Sequence, residues 1–185
     1  MRKAIFATLL IVCTMAIAPF ISTAFACGGK ITGGGQCIVD GNMDIPSASF
    51  GFNVMAPLNA AGPEEVKGEL NYVDHTTGKH LHAHEMIYVE TWEYEEDNKP
   101  WPLRQGAFWG PCEYDGEETT FFCHIYDLGE PGTDDMFFIL VGPDISFGPD
   151  GVSGGTYLGG SETVPILVGN IQIHKAPTGQ QPLPT

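Results

Sequence analysis

Apolar and polar residues alternate along several segments of this chain, which is the pattern of half-buried β-strands. In the segment 47–56, Phe50, Phe52 and Val54 fall on one face, and small or polar residues fall on the other. The run 136–141 is continuously apolar, which predicts a strand buried on both faces. Because no segment combines helical periodicity with capping residues, the chain is predicted to be all-β with little or no helix.

The clearest pattern is a hairpin formed by the segments 66–73 and 80–92, with a turn at 74–79. Gly78 suits this turn because glycine adopts positive φ without steric cost. Alternation divides the second strand into two faces. One predicted face contains Leu81, Ala83, Ile87, Val89 and Thr91, and the other contains His80, His82, His84, Met86, Tyr88, Glu90 and Trp92.

Turn-forming residues separate the strand candidates at short intervals, and the chain contains 24 glycines and 14 prolines. Counting the candidates gives about eight or nine strands, a number typical of an antiparallel sandwich or a closed barrel. Hairpin-like spacing favours a meander barrel, since closure hides the strand edges that an open sheet must protect. A β-sandwich is the alternative.

The N-terminal segment 1–26 predicts a secretory signal peptide. Arg2 and Lys3 precede an apolar run over 4–21, and Ala24-Phe25-Ala26 matches a small-x-small cleavage site. No later segment is long and apolar enough to span a bilayer. We therefore expect a secreted or extracytoplasmic protein, in the periplasm or at the cell surface. It would have a single β-domain over 27–174 and a disordered Pro/Gln-rich tail over 175–185.

The charge of the chain limits its partners. Two of the eight basic residues lie in the predicted signal peptide, so six remain against 23 acidic residues, a formal charge of −17. Nucleic acids and anionic membranes need a positive protein face, so the sequence predicts neither as a partner. Extracellular matrix, a cell surface or a small molecule fits this charge better.

Four cysteines remain after the predicted cleavage, and an even number in an oxidising compartment predicts disulfides. Cys112 and Cys123 flank the turn at 115–118 and are predicted to pair, which leaves Cys27 to pair with Cys37. Four cysteines allow three connectivities, so the other pairings stay open.

Cys27 directly follows the cleavage site, so a lipoprotein attached through Cys27 is an alternative. Ala24 stands where a lipobox usually has leucine, and lipidation would leave an odd number of thiols. These two observations favour the disulfide.

Five sequence pieces in order carry a resemblance to a known family. They are Gly-Gly-Gly-Gln at 33–36, Phe-Gly-Phe-Asn-Val at 50–54, Gly-x-Leu-x-Tyr-Val-Asp-His at 68–75, the stretch from Asp-Leu-Gly-Glu-Pro-Gly to Met-Phe at 127–137, and Gly-Asn-Ile-Gln-Ile-His-Lys at 169–175. Together they resemble the post-choice-of-anchor (post-COAP) domain, a prokaryotic secreted β-domain. The resemblance implies an extracellular all-β module, found alone or beside adhesive or anchoring domains. The family has no established activity, so it assigns no catalytic residue.

Three alternating histidines, His80, His82 and His84, share one face of the predicted hairpin, and His124 lies on a neighbouring strand candidate. Imidazole nitrogens bind Zn²⁺ and Cu²⁺, so these four residues are the candidate transition-metal ligands. The competing interpretation is a partly exposed polar face whose histidines bind their neighbours.

A second candidate is a calcium site in the tight loop after the strand that ends near residue 127. Calcium prefers several oxygen ligands from one loop. The candidate ligands are Asp127, Glu130, Asp134 and Asp135. Their spacing differs from that of an EF-hand, and a solvated turn with self-capping aspartates is the alternative.

Six aromatic residues bracket the acidic segment 90–97: Tyr88, Trp92, Tyr94, Trp101, Trp109 and Tyr114. Aromatic rings beside carboxylates can stack on sugars or bind cations, but large aromatics more often fill a core or cover a barrel mouth. The sequence favours the core.

Common catalytic signatures are absent from the sequence. It contains no Gly-x-Ser-x-Gly, His-Glu-x-x-His or Cys-x-x-Cys, which favours a non-catalytic role. The sequence therefore predicts a secreted or cell-surface β-domain with a structural or binding role. The alternative is a β-barrel that binds a small ligand or transition metal through the His80/His82/His84 face.

Overall fold

The structure, a computed structural model, describes residues 28–38, 47–57, 60, 62–94, 103–129, 132, 134–148, 151–158 and 164–174. Within these ranges the chain forms β-strands and one short 3-10 helix, Pro63–Glu65. The strands are β1 Gly29–Cys37, β2 Ala48–Ala56, β3 Lys67–Asp74, β4 His80–Ala83, β5 Tyr88–Tyr94, β6 Leu103–Tyr114, β7 Glu117–Asp127, β8 Met136–Val141, β9 Ser146–Gly148, β10 Gly151–Ser153, β11 Thr156–Tyr157 and β12 Val164–His174.

The strands, except β9 and β10, form one strongly curled antiparallel sheet. Pairing runs from β1 through β2, β3 and β4 to β6, and from there through β7 to β8. The last strand, β12, lies beside β1 along most of its length and pairs with β8 at Val164 and Pro165. The result is a half-barrel, which confirms the all-β prediction.

The predicted long strand over 80–92 is interrupted. β4 pairs with β3 and with the end of β6, whereas β5 pairs with the first part of β6. Between them the backbone passes so close to β6 that a side chain on Gly110 would overlap the carbonyl oxygen of Glu85. The interruption breaks the alternation locally and buries Met86 in the core, and the predicted alternation resumes in β5, where Val89 is buried. The predicted place of Met86 on the histidine face is wrong.

Aromatic rings fill the concave side of the sheet. Phe50 stacks on Phe137 with ring centroids 4.1 Å apart, and Phe52 lies 5.1 Å from Phe108. Gly33 stands opposite Phe52, where an added Cβ would lie 2.5 Å from the ring. Small residues on one strand therefore make room for large rings on the next, and the interior is a packed core.

The predicted Cys112–Cys123 disulfide is wrong. The turn between β6 and β7 contains two residues, Asp115 and Gly116, both with positive φ, as in a type I′ hairpin. This register places Cys112 opposite Thr119 and shifts Cys123 four residues further along β7, roughly 13 Å away. A disulfide needs Cα atoms about 4.4–6.8 Å apart.

Cys37, Cys112 and Cys123 are buried free thiols. Burial raises the pKa of Cys37 and of Cys112 to about 12 and raises that of Cys123 as well. These thiols therefore stay protonated and unreactive. The other predicted partner, Cys27, lies outside the described residues, and Cys37 lies at the far end of β1 from Gly29.

The predicted signal peptide and the predicted tail also lie outside the described residues. In the part of the chain that the structure describes, no helix has the length and apolar character needed to cross a membrane.

Candidate functional site

The three alternating histidines face the solvent. His80, His82 and His84 are exposed on the convex side of the sheet, opposite the packed core. Nδ1 of His82 lies 2.6 Å from Oδ1 of Asn71 on β3, and the rings of His82 and His84 lie 5.6 Å apart. A ligand at these histidines would therefore bind on the outer surface.

His124 lies far from these three histidines. β6 lies between β4 and β7, and His82 stands opposite Glu113 on β6, whereas His124 stands opposite Ala107. These two β6 positions are six residues apart, or roughly 20 Å. The described residues bring together no group of three or more histidine, cysteine or acidic side chains able to hold a metal. The predicted four-histidine site is therefore not assembled.

In the acidic loop after β7, two carboxylates accept hydrogen bonds from backbone N–H groups. Asp135 is fully buried, and its carboxylate accepts hydrogen bonds from the backbone N–H groups of Leu128 and Ile171, at 2.9 and 2.7 Å. The carboxylate of Asp127 accepts the N–H groups of Gly129 and Ile173, at 3.2 and 2.9 Å. Both aspartates thus bind β12 beyond the short stretch where β8 pairs with it.

This arrangement does not form the predicted calcium site. The oxygens of Asp127 and Asp135 point at backbone donors, and Asp134 is exposed beside them. Glu130 lies outside the described residues. A calcium ion needs oxygens directed at one common point, whereas these carboxylates satisfy the unpaired edge of a strand.

A different surface gathers polar and aromatic groups, on the convex side of β5, β6, β7 and β8. The cross-strand register forms two adjacent rows, Glu90–Ala107–His124–Phe138 and Trp92–Gln105–Tyr126–Met136. A third row below them is Tyr88–Trp109–Phe122–Leu140. We call the outward side chains of these three rows the aromatic face.

A hydrogen-bond network fixes the polar groups at the centre of this face. The indole N–H of Trp92 donates to Oε1 of Gln105 at 3.2 Å, and Nε2 of His124 lies 3.2 Å from the same oxygen. Because an indole N–H can only donate, the contacted amide atom must be the oxygen. Nε2 of His124 therefore carries the proton, and its Nδ1 is an acceptor.

Aromatic contacts hold His124 on both sides. Its ring centroid lies 5.5 Å from that of Trp92 and 4.8 Å from that of Tyr126. These rings remove water from the imidazole, and this burial lowers its pKa below the usual 6.5. His124 is therefore neutral at neutral pH.

The three rows differ in how far other side chains cover them. Phe147, from the β9–β10 hairpin, packs on Trp109 and Phe122 with ring centroids 4.7 and 5.7 Å away, so the lowest row is covered. In the upper two rows, Glu90, Trp92, Gln105, His124 and Tyr126 keep part of their surface accessible. Ala107 lies between Glu90 and His124 in the middle row and is itself buried, in a small apolar cluster with Phe122 and Leu140.

Glu90 is the acidic group of the face. It accepts a short hydrogen bond from the hydroxyl of Tyr88, two residues earlier on the same side of β5. This contact orients the carboxylate on the convex side of β5. The face therefore combines ring surfaces, a neutral imidazole, an amide and one oriented carboxylate.

The sequence favoured a core position for the aromatic residues, and three of them lie on the other side of the sheet. Tyr88, Trp92 and Trp109 are on the convex side, where the two tryptophans pack, partly buried, against a second and smaller apolar cluster. Trp101 lies outside the described residues. The sequence did contain a signal for the outward position of the residues on β7. Between Phe121 and Asp127, every second residue is apolar and fills the core, so Phe122, His124 and Tyr126 had to face outward together.

Comparisons with known proteins identify no relative. No family model matches the chain, and neither a curated protein nor a solved structure matches it. The resemblance to the post-choice-of-anchor domain therefore stays a prediction.

The lowered pKa of His124 predicts a pH dependence of stability. Below pH 6.5 the unfolded chain binds a proton at this residue that the folded chain does not, so acidification destabilises the fold. We expect the free energy of unfolding to fall as pH drops through 6.5, with a slope of at most about 1.4 kcal/mol per pH unit from this group. Urea unfolding from pH 8 to 5 measures it.

His124→Gln should remove this part of the slope, while His80→Gln, at an exposed position, should keep it. Parallel pH profiles for the wild type and His124→Gln would contradict the assignment.

Proposed function

We propose that this chain is an exported binding module that holds a neutral carbohydrate on its aromatic face. The observation that carries the proposal is the joint presence of partly accessible aromatic rings and fixed hydrogen-bonding groups in two adjacent rows of one face. Sugars present C–H groups that pack on an aromatic ring and hydroxyls that both donate and accept. Trp92 and Tyr126 supply the rings, and Glu90, Gln105 and His124 supply the polar partners.

The chemistry of the face supports a sugar over two other ligands. A protein partner is usually bound through an interface depleted of charge at its core, whereas the middle row of this face includes the carboxylate of Glu90, on the edge strand β5. A cation would be bound by ring faces arranged as a cage, whereas Trp92 and Tyr126 both pack against the ring of His124. The strongly acidic chain disfavours acidic polysaccharides, so the ligand is neutral.

The packed interior supports a ligand on the outside of the sheet. A carrier of the half-barrel type would hold its ligand among the concave residues, and here stacked rings such as Phe50 and Phe137 occupy that side. The aromatic face needs no opening of this core. Binding is therefore expected without a large conformational change.

Export is part of the proposal. The signal-like segment 1–26 and the resemblance to an extracellular β-module support it. The described cysteines are free thiols and form no disulfide. The expected pairing of four cysteines therefore no longer disfavours lipidation of Cys27. Attachment through Cys27 and release as a secreted protein are both compatible with binding a polysaccharide outside the cytoplasm.

Affinity electrophoresis tests the proposal. The untagged protein is run through gels that contain neutral polysaccharides (cellulose derivatives, β-glucan, xylan, mannan, soluble starch) or acidic ones. We expect retardation by at least one neutral polymer. Trp92→Ala should weaken this binding at least tenfold, which is about 1.4 kcal/mol, and Glu90→Gln should weaken it severalfold.

Met55→Ala is the matched control, because Met55 is also a large, partly exposed apolar residue but lies on β2. It should bind as the wild type does. Circular dichroism and thermal melting confirm that each variant is folded. The proposal is wrong if no neutral polymer retards the protein, or if folded Trp92→Ala binds as tightly as the wild type.

A further inference from the structure

His82 and His84 form a pair that the aromatic face does not involve. His82 lies on β4 and His84 directly follows the last residue of that strand, Ala83; both side chains are exposed and their rings are neighbours. Their rings lie 5.6 Å apart at an angle of 28°. Since both residues are exposed, small side-chain rotations would bring one nitrogen of each ring to about 2.0–2.1 Å from a shared metal ion.

Asn71 prepares His82 for metal binding. Its Oδ1 accepts a hydrogen bond from Nδ1 of His82 at 2.6 Å, which fixes the tautomer and leaves the lone pair on Nε2. Metal-bound histidines usually have such a second partner, which holds the ring and raises its basicity. The pairing of Asn71 with His82 in the β3–β4 ladder holds the two residues side by side.

The surroundings favour a cation. Glu113 stands opposite His82 on β6. His84 lines an open cleft of about 430 Å³ whose charged wall residues are Glu64, Glu85 and Lys67, two carboxylates against one ammonium group. These carboxylates, on a chain with a formal charge of −15, attract divalent ions without lying close enough to be counted as ligands. The cleft leaves space for water molecules in the remaining coordination positions.

We propose that His82 and His84 are a two-histidine site for Cu²⁺ or Zn²⁺, positioned by Asn71 and completed by water. The site differs from the four-histidine arrangement expected from the sequence, since neither His80 nor His124 belongs to it. Cu²⁺ binds more tightly than Zn²⁺, as imidazole ligands generally dictate. The site is independent of carbohydrate binding.

Isothermal titration of the full, untagged chain with CuCl₂ and ZnCl₂ tests this site. We expect one equivalent of Cu²⁺ per chain, with Zn²⁺ bound more weakly. His82→Gln and His84→Gln should each weaken Cu²⁺ binding at least tenfold, and Asn71→Ala should weaken it severalfold. His80→Gln is the matched control, because it removes an exposed histidine from the same side of the same strand.

Electron paramagnetic resonance of the Cu²⁺-loaded protein gives a second measurement. Two coordinating nitrogens are expected for the wild type and one for His84→Gln. The proposal is overturned if the wild type binds no Cu²⁺, if His80→Gln weakens binding as much as His82→Gln does, or if removing either histidine leaves the affinity unchanged.

Discussion

Replacing Gly169 with alanine is expected to lower the free energy of unfolding by about 3–5 kcal/mol. Gly169 lies on β12 opposite Gly35 and has a φ of +128°, a conformation that side chains rarely adopt. An added Cβ would lie 2.5 Å from the Cα of Gly35 and even closer to the carbonyl oxygen of Gly34. Because both obstacles are backbone atoms of a paired strand, they cannot rotate away.

Gly51→Ala is the control for this effect. Gly51 also lies within the sheet, but an added Cβ there meets no atom within 4 Å. We expect this variant to be as stable as the wild type or slightly more stable, because alanine restricts the unfolded chain. Urea unfolding followed by circular dichroism compares the two. Equal stability of the Gly169 and Gly51 variants would contradict the close approach of β1 and β12.

Replacing Asp135 with alanine is expected to cost about 3–5 kcal/mol. The change would leave the N–H groups of Leu128 and Ile171 without their carboxylate acceptor in a buried position. The bond from Ile171 also holds the edge of β12 beyond its short pairing with β8. The loss should therefore appear both in urea unfolding and as faster hydrogen exchange at Ile171.

Two variants separate this role from a general effect of removing charge. Asp135→Asn keeps one oxygen acceptor and should lose less than Asp135→Ala. Asp134→Ala removes an exposed neighbouring carboxylate and should change stability by no more than about 0.5 kcal/mol. If Asp134→Ala were as unstable as Asp135→Ala, the carboxylate of Asp135 would not be the group that holds β12.

Local alternation predicted the strands well where the chain follows a regular ladder. Phe50, Phe52 and Val54 lie in the core as expected, and the hairpin of β3 and β4 forms at the predicted turn. The prediction failed at Met86, because the close passage of Glu85 over Gly110 interrupts the alternation between β4 and β5. That contact joins residues distant in sequence, so no local pattern could reveal it.

The cysteine prediction failed for a reason that was visible in the sequence. Asp115-Gly116 is a strong two-residue turn signal, and such a turn dictates that Cys112 faces Thr119. Even the four-residue turn predicted at 115–118 would have placed Cys112 opposite Phe121, so neither turn aligns Cys112 with Cys123. Turn chemistry is therefore a better guide to cross-strand pairing than the symmetric spacing of cysteines.

The aromatic face could be predicted only in part. Alternation places His124 and Tyr126 on one side of β7, but the contact of His124 with Trp92 depends on the register across three strands. From sequence alone, the loop with Asp127 and Asp135 likewise predicts a cation site, because its acidic residues are close together along the chain. In the folded chain the backbone of β12, about 40 residues later, provides their partners.

The central claim is that a neutral carbohydrate binds on the aromatic face. The most direct test is an NMR titration of the ¹⁵N-labelled protein with an oligosaccharide of the polymer that it binds. The chain has three tryptophans, so the spectrum contains only three indole N–H signals to follow. We predict that the indole N–H signal of Trp92 and the amide signals around Gln105 and His124 shift together with the added sugar. Shifts confined to β1, β2 and β3, with the Trp92 signal unchanged, would contradict the account.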